Sequence, residues 1–203
     1  MKSKILFIVA MAAMGFGIGK VSAQNSSINT FEFEIGGGII SPTEKLNFDK
    51  NNPGWTADVE LRYNFKKLPL DIGLHVDGAV LNRESNPIQN VQELRNAKFA
   101  SITGLAVADL NILRSKGFSI FAGVGVGYGM LINDFKNVKH IKDVDKLGCF
   151  CVMPRVGIEI AHHFRASLYY KQLKKEQNHF GVNIGIVFGG GKIKIKQQPQ
   201  AQQ

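Results

Sequence analysis

After residue 23 the chain has no apolar run long enough to cross a membrane as a helix. None of its longer segments has the three-to-four spacing of an amphipathic helix. Cysteine is scarce, with only Cys149 and Cys151. At i and i+2 of a strand they share a face without pointing at each other, so a bond between them is strained. A metal site needs three or four ligands, and His140 is the nearby candidate to join them, so the pair reads as two small side chains at a strand entrance. A phosphate cradle is missing too. Gly36-Gly37-Gly38 and Gly123-Val-Gly125-Val-Gly127 fall inside predicted strands with no helix following, which a dinucleotide fingerprint requires. No basic helix or basic patch among stacking aromatics accompanies the formal charge of +9, which argues against nucleic-acid binding.

At the N-terminus, Lys2 and Lys4 precede an apolar run from Ile5 to Ile18, and Val21-Ser22-Ala23 offers a small-residue cleavage site. Residues 1–23 therefore read as a secretory signal peptide, cut near Ala23. The absence of a cysteine just after that point argues against a lipid-anchored product. Without Lys2, Lys4 and Lys20 the charge falls from +9 to +6, and Lys192, Lys194 and Lys196 carry half of that. Residues 191–203, rich in Lys and Gln, read as a disordered periplasmic tail. Residues 24–190 remain as one domain.

In that domain Trp55, Ala57, Val59, Leu61, Tyr63 and Phe65 alternate with Thr56, Asp58, Glu60, Arg62 and Asn64. A period of two is the signature of a strand with unequal faces. Eight such segments are predicted at about Thr30–Ser41, Gly54–Phe65, Pro69–Asn82, Lys98–Leu113, Gly117–Ile132, Cys149–Ala161, Phe164–Lys171 and His179–Gly189. The connections at Lys66–Leu68, Arg114–Lys116 and His162–His163 are short. Those at Pro42–Pro53, Arg83–Ala97, Asn133–Gly148 and Gln172–Asn178 are longer. Strict alternation of short and long predicts an all-β fold, an eight-stranded antiparallel up-and-down transmembrane β-barrel with short turns in the periplasm.

A soluble barrel or sandwich also alternates, so the direction of the faces needs its own argument. A strand surface that meets water normally carries lysine, yet nearly all lysines after residue 23 lie in connections or the tail. The polar face of the fifth strand reads Ser119, Phe121, Gly123, Gly125, Gly127, Gly129, a poor water-facing surface but one that leaves room in a narrow lumen for large side chains from the opposite wall. The apolar face is thus the outer one. Trp55, Phe65, Phe118, Tyr128, Phe164 and Phe180 fall near its strand ends, where interfacial aromatic girdles lie. The last strand, Phe180 to Phe188, alternates apolar residues with Gly181, Asn183 and Gly185 and ends on an aromatic. Together with the signal peptide and the eight alternating segments, it resembles the small OmpA/OmpX-type outer-membrane barrels over about Thr30 to Gly189. The resemblance implies the outer membrane of a diderm bacterium, insertion by the barrel assembly machinery and a lumen plugged by side chains. It transfers little function, because such barrels share architecture more than activity.

With these faces the lumen collects Glu32, Glu34, Asp58, Glu60, Arg62, Asp71, His75, Asp77, Asp109, Arg155, Glu159 and Arg165, with Lys171 at the margin. Buried charges must pair, so a structural plug is expected. An eight-stranded interior is just wide enough for side chains to fill it. No catalytic residue, metal or cofactor is predicted. The function expected is a monomeric structural, membrane-integrity or surface-interaction protein in contact with outer-membrane lipid and lipopolysaccharide. Lys136, Lys139, Lys142 and Lys146 in the third outside connection are the candidate contacts for lipopolysaccharide phosphates. Two alternatives stay open, a lipid A deacylase or acyltransferase and a narrow ion conduit. A lipid enzyme needs a hydroxyl nucleophile with a base. Ser85, Ser101, His140 and His179 lie toward the outer side without a known spacing. His162-His163 resembles the deacylase histidine region but falls in a periplasmic turn without the expected serine and asparagine.

Overall fold

The computed structural model describes residues 30–43, 50–51, 53–66, 68–84, 96–115, 117–136, 146–173 and 177–189. The predicted signal peptide and tail lie outside these residues, as do most of the longer connections. Eight strands form the barrel: β1 (Phe31–Pro42), β2 (Gly54–Asn64), β3 (Leu70–Glu84), β4 (Asn96–Ser115), β5 (Phe118–Lys136), β6 (Lys146–Ile160), β7 (Phe164–Lys171) and β8 (His179–Phe188). A two-residue ladder at Lys50–Asn51 extends the pairing along the end of β3. Every neighbour in sequence is an antiparallel neighbour in space. The first and last strands then join, with Ile35 opposite Ile186, so that no strand edge is left along the wall. The strand bounds agree with the sequence expectation to within about two to four residues, the ordinary looseness of such boundaries.

Exposure settles which face is which. Along β2, Trp55, Val59 and Leu61 are exposed while Thr56, Asp58, Glu60, Arg62 and Asn64 are buried. The same inversion runs round the wall through Leu74, Val76, Val126, Ile158, Leu168, Val182 and Ile184, all exposed. A continuous apolar belt on the outside of a barrel with a charged interior is stable only in lipid. Aromatic rings cap the belt at the short-turn end, where Phe31 stacks edge-on to Tyr63 at 5.3 Å and Tyr63 to Phe65 at 5.0 Å. Phe65 itself follows β2 rather than belonging to it, because its N–H turns to the Leu70 carbonyl to close the tight connection.

The lumen has two halves. Near the long connections it is filled by Ile40, Ala79, Leu81, Leu131, Cys151 and Leu173, and from its middle to the short turns by ionisable side chains. Cys149 and Cys151 sit in the first half with no disulfide between them. The lumen glycines are explained differently from the expectation. A Cβ on Gly123 would strike the Asp109 side chain, one on Gly157 the Phe121 ring, one on Gly181 the Tyr169 ring and one on Gly185 the Glu34 side chain. All four neighbours stand on adjoining strands. The glycines make room for side chains beside them, because in a strongly tilted wall large residues lean across the adjacent strand.

The connection from β6 to β7 spans residues 161–163, between the paired Ile160 and Phe164, and holds a tight turn closed by the His163 N–H on the Ile160 carbonyl at 3.1 Å. Its central residues, Ala161 (φ 55°) and His162 (φ 59°), both lie in the left-handed region without being glycine. A type I′ turn demands this conformation, and a Cβ makes it unfavourable by about 1–2 kcal/mol per residue. His162→Gly is therefore expected to stabilise the barrel by roughly 1 kcal/mol, read as a higher urea midpoint. An unchanged or lower midpoint would mean that the 3.8 Å contact of His162 with Glu159 matters more than the backbone.

Candidate functional site: the charged lumen

Strand alternation and closure bring the twelve predicted lumen residues, and Lys171, to one interior, and all thirteen are buried. Arg155 on β6 is their hub. Its guanidinium grips Glu60 of β2 through Nη1 and Nη2, at 2.5 and 2.8 Å, and Asp109 of β4 through Nε and Nη2, at 2.9 and 2.7 Å. Two forked pairs on one guanidinium fix both carboxylates in orientation as well as in distance. Arg165 on β7 also donates to Asp109, lies 3.7 Å from Glu34 and 3.5 Å from Glu159, and stacks over the Phe121 ring at 3.5 Å. Arg62 on β2 joins Glu34 at 2.8 Å, Glu32 at 3.2 Å and Glu60 at 3.3 Å, with Glu159 at 3.8 Å.

Above this cluster, toward the long connections, His75 places Nδ1 2.9 Å from Glu60 and Nε2 3.7 Å from Asp77. Lys171 Nζ lies 2.5 Å from Asp77 Oδ2 and donates to Thr103 at 3.2 Å, and the Thr103 hydroxyl in turn donates to Asp77. Lys171 ends β7 but is only 1 % exposed, so it belongs to the lumen and not to a solvated margin. Next to Glu60 and Arg155 the interior leaves a cavity of about 10 Å³, about the room one water needs.

Sequence reading missed Arg114, which it placed in a tight connection. Its side chain reaches Asp71 at 3.0 Å, and Asn111 donates to the same carboxylate at 2.6 Å. The cause is a β-bulge in β4, where the pairing with β5 slips between Asn111 and Leu113. Ile112 and Leu113 both face outward, and the parity after them is reversed, which turns Arg114 inward. The apolar doublet Ile112-Leu113 interrupts the period of two and was the available signal. Thr103, Asn111, Phe121, Tyr169 and Asn183 are further lumen residues that no charge marked in advance.

Among the described residues, those considered for lipid chemistry are not assembled into a nucleophile and base. Ser101 is buried in the lumen, and His179 bonds through Nδ1 to the Gln177 carbonyl at 2.9 Å. His163 Nδ1 faces the Val187 carbonyl at 3.3 Å. Ser85 and His140 lie outside the described residues. Of the four loop lysines, Lys139 and Lys142 lie outside them as well, and Lys136 and Lys146 end β5 and begin β6.

Comparison with solved structures gives a barrel of the same kind. Neisserial surface protein A is 11% identical over 80% of this chain and 98% of its own, at a TM-score of 0.50. The chain has the fold of the small outer-membrane barrels. The attachment invasion locus protein Ail of Yersinia pestis (18% identical, 77% of this chain and 98% of that one, TM-score 0.43) and OprG of Pseudomonas aeruginosa (12%, 80% and 98%, TM-score 0.45) are also similar. No protein-family model and no curated protein matches the chain. The shared architecture agrees with the apolar outer belt and the polar filled lumen, both read from this chain's own side chains.

Proposed function

We propose that this barrel is a structural and surface-interaction protein of the outer membrane, in which a rigid ion-paired plug holds eight strands in register and the long connections make the contacts. One observation carries the reading. Ion-paired and apolar side chains from all eight strands fill the lumen, and the cavity beside the Arg155 hub is only about 10 Å³. An interior filled in this way argues against a path for a hydrated ion. In this reading residues 1–23 export the chain, the barrel assembly machinery inserts it, and residues 191–203 trail into the periplasm. The barrel works as a monomer without a cofactor. Lys136, Lys139, Lys142 and Lys146, in the third long connection or at its ends, supply positive charge for lipopolysaccharide phosphates.

A single set of cells tests this, comparing wild type, a deletion strain and a variant with the four lysines changed to serine. Lipid A acyl-chain masses are expected to be identical in all three, and the purified barrel is expected to show no steady conductance in a planar bilayer. Lipopolysaccharide that copurifies with the barrel is expected to fall in the lysine variant. A change in acyl-chain mass on deletion makes the protein a lipid-modifying enzyme, and stable unitary currents make it a conduit.

A further inference from the structure

Among the described side chains the lumen does not balance its charge: Glu32, Glu34, Asp58, Glu60, Asp71, Asp77, Asp109 and Glu159 face Arg62, Arg114, Arg155, Arg165 and Lys171, with His75 among them. Seven of these eight carboxylates lie within 4.0 Å of an arginine or lysine. Asp58 is the exception among the described residues. The nearest base is the His75 ring, whose Nδ1 stands 4.0 Å from Asp58 and 2.9 Å from Glu60. Yet Asp58 is 6% exposed. A buried carboxylate without an arginine or lysine in contact is poorly compensated, and an uncompensated buried charge is unfavourable by several kcal/mol after relaxation.

A second observation points to the same spot. Asn183 on β8 donates through Nδ2 to Asp58 Oδ1 at 2.8 Å, while its Oδ1 has no hydrogen-bond partner although the residue is 6% exposed. Asp58 and Asn183 both line the cavity of about 10 Å³, where Thr56, Ser167 and Tyr169 add hydroxyls. The backbone leaves this place clear. A Cβ on Gly36 would stand 2.7 Å from Asn183 Nδ2 and 2.8 Å from Asp58 Oδ1. A buried acceptor left without a partner beside a cavity calls for a water or an ion to complete it.

We propose that a single bare monovalent cation of about sodium size occupies this cavity, held by the Asp58 carboxylate and the Asn183 side-chain oxygen. Hard cations take oxygen ligands of this kind, and a volume fit for one water admits no hydration shell. A magnesium ion retains several waters, which the cavity does not accommodate. One positive charge supplies what Asp58 lacks, and the cation accepts the lone pairs of Asn183 Oδ1. The inference rests on the plugged-lumen reading, because an open pore would hold water and exchange ions freely.

The test uses the mature barrel in detergent micelles, with the fluorescence of Trp55, its only tryptophan, reporting urea unfolding. Sodium chloride replaces tetramethylammonium chloride stepwise at constant ionic strength. The wild-type midpoint is expected to rise saturably with sodium, by up to roughly 1 M urea. In Asp58→Asn the rise is expected to vanish, and in Asn183→Ala to need more sodium. A wild-type midpoint indifferent to the cation overturns the proposal and leaves a water in the cavity, a result readable even if Asp58→Asn does not fold. A sodium response that survives in Asp58→Asn overturns it as well. Planar-bilayer currents would overturn the plug separately, without bearing on the salt comparison.

Discussion

Replacing Arg155 by methionine is expected to destabilise the barrel by roughly 3–5 kcal/mol, the usual cost of removing one partner from a buried ion pair. The size follows from what stays behind. Glu60 and Asp109 are 2% and 1% exposed, and Arg155 is the residue that bridges them with forked bonds to both. Without it Glu60 keeps Arg62 at 3.3 Å and the His75 ring, and Asp109 keeps Arg165. Neither remaining set matches the lost fork. Methionine retains much of the stem volume, so the loss reports charge rather than a cavity. The measurement is the urea midpoint by Trp55 fluorescence, with the slope checked for constancy.

The same experiment separates a pair that stabilises from one that is merely matched. Adding Glu60→Gln and Asp109→Asn to Arg155→Met removes the stranded charges, and most of the lost stability is expected to return, since replacing a whole buried ion-pair set by neutral groups is often tolerated. These sites share partners, so the coupling has to be read from the full cycle and not from a sum. A loss below about 1 kcal/mol for Arg155→Met alone would put the fork in the range of exposed ion pairs, and would contradict its place at the centre of a dry lumen.

Much of this site was visible in sequence because membership of the lumen needs only parity. Once the lysine-poor strands and the glycine face of β5 give the two faces a direction, every second residue of β2 is assigned, and Asp58, Glu60 and Arg62 follow. Partnership is another matter. Arg155 and Glu60 are 95 positions apart, and their meeting depends on the tilt and stagger of a closed barrel, which no local pattern carries. The bulge after Asn111 shows the second limit. One extra residue reverses the parity beyond it, so Arg114 enters the lumen from a segment that reads as a connection. Glycine misled in a milder way. Its position on the inner face was correct, but the space it leaves is taken by Asp109, Phe121, Tyr169 and Glu34 on adjoining strands, a consequence of wall tilt rather than of lumen width.

On the outside of the wall the largest effect is expected at Val59, midway along β2 between Trp55 and Tyr63. Val59 is 41% exposed and stands between Ile35 of β1 and Val76 of β3. Val59→Arg places a cation at the middle of the apolar belt, where its cost in a bilayer is about 2–4 kcal/mol and falls to about 0–1 near the interfaces. Ile160→Arg, at the short-turn end of β6, is the matched control with a comparable exposure of 48%. The prediction is a depth gradient, measured as urea midpoints in lipid vesicles, with Val59→Arg well below wild type and Ile160→Arg close to it. A protein surrounded by water gives no such gradient, because an exposed arginine on a sheet is close to neutral at either depth and removing an exposed valine or isoleucine costs little. Equal midpoints for the two variants would therefore remove the lipid from the outer face, and with it the reason why so many ionisable residues are packed inside.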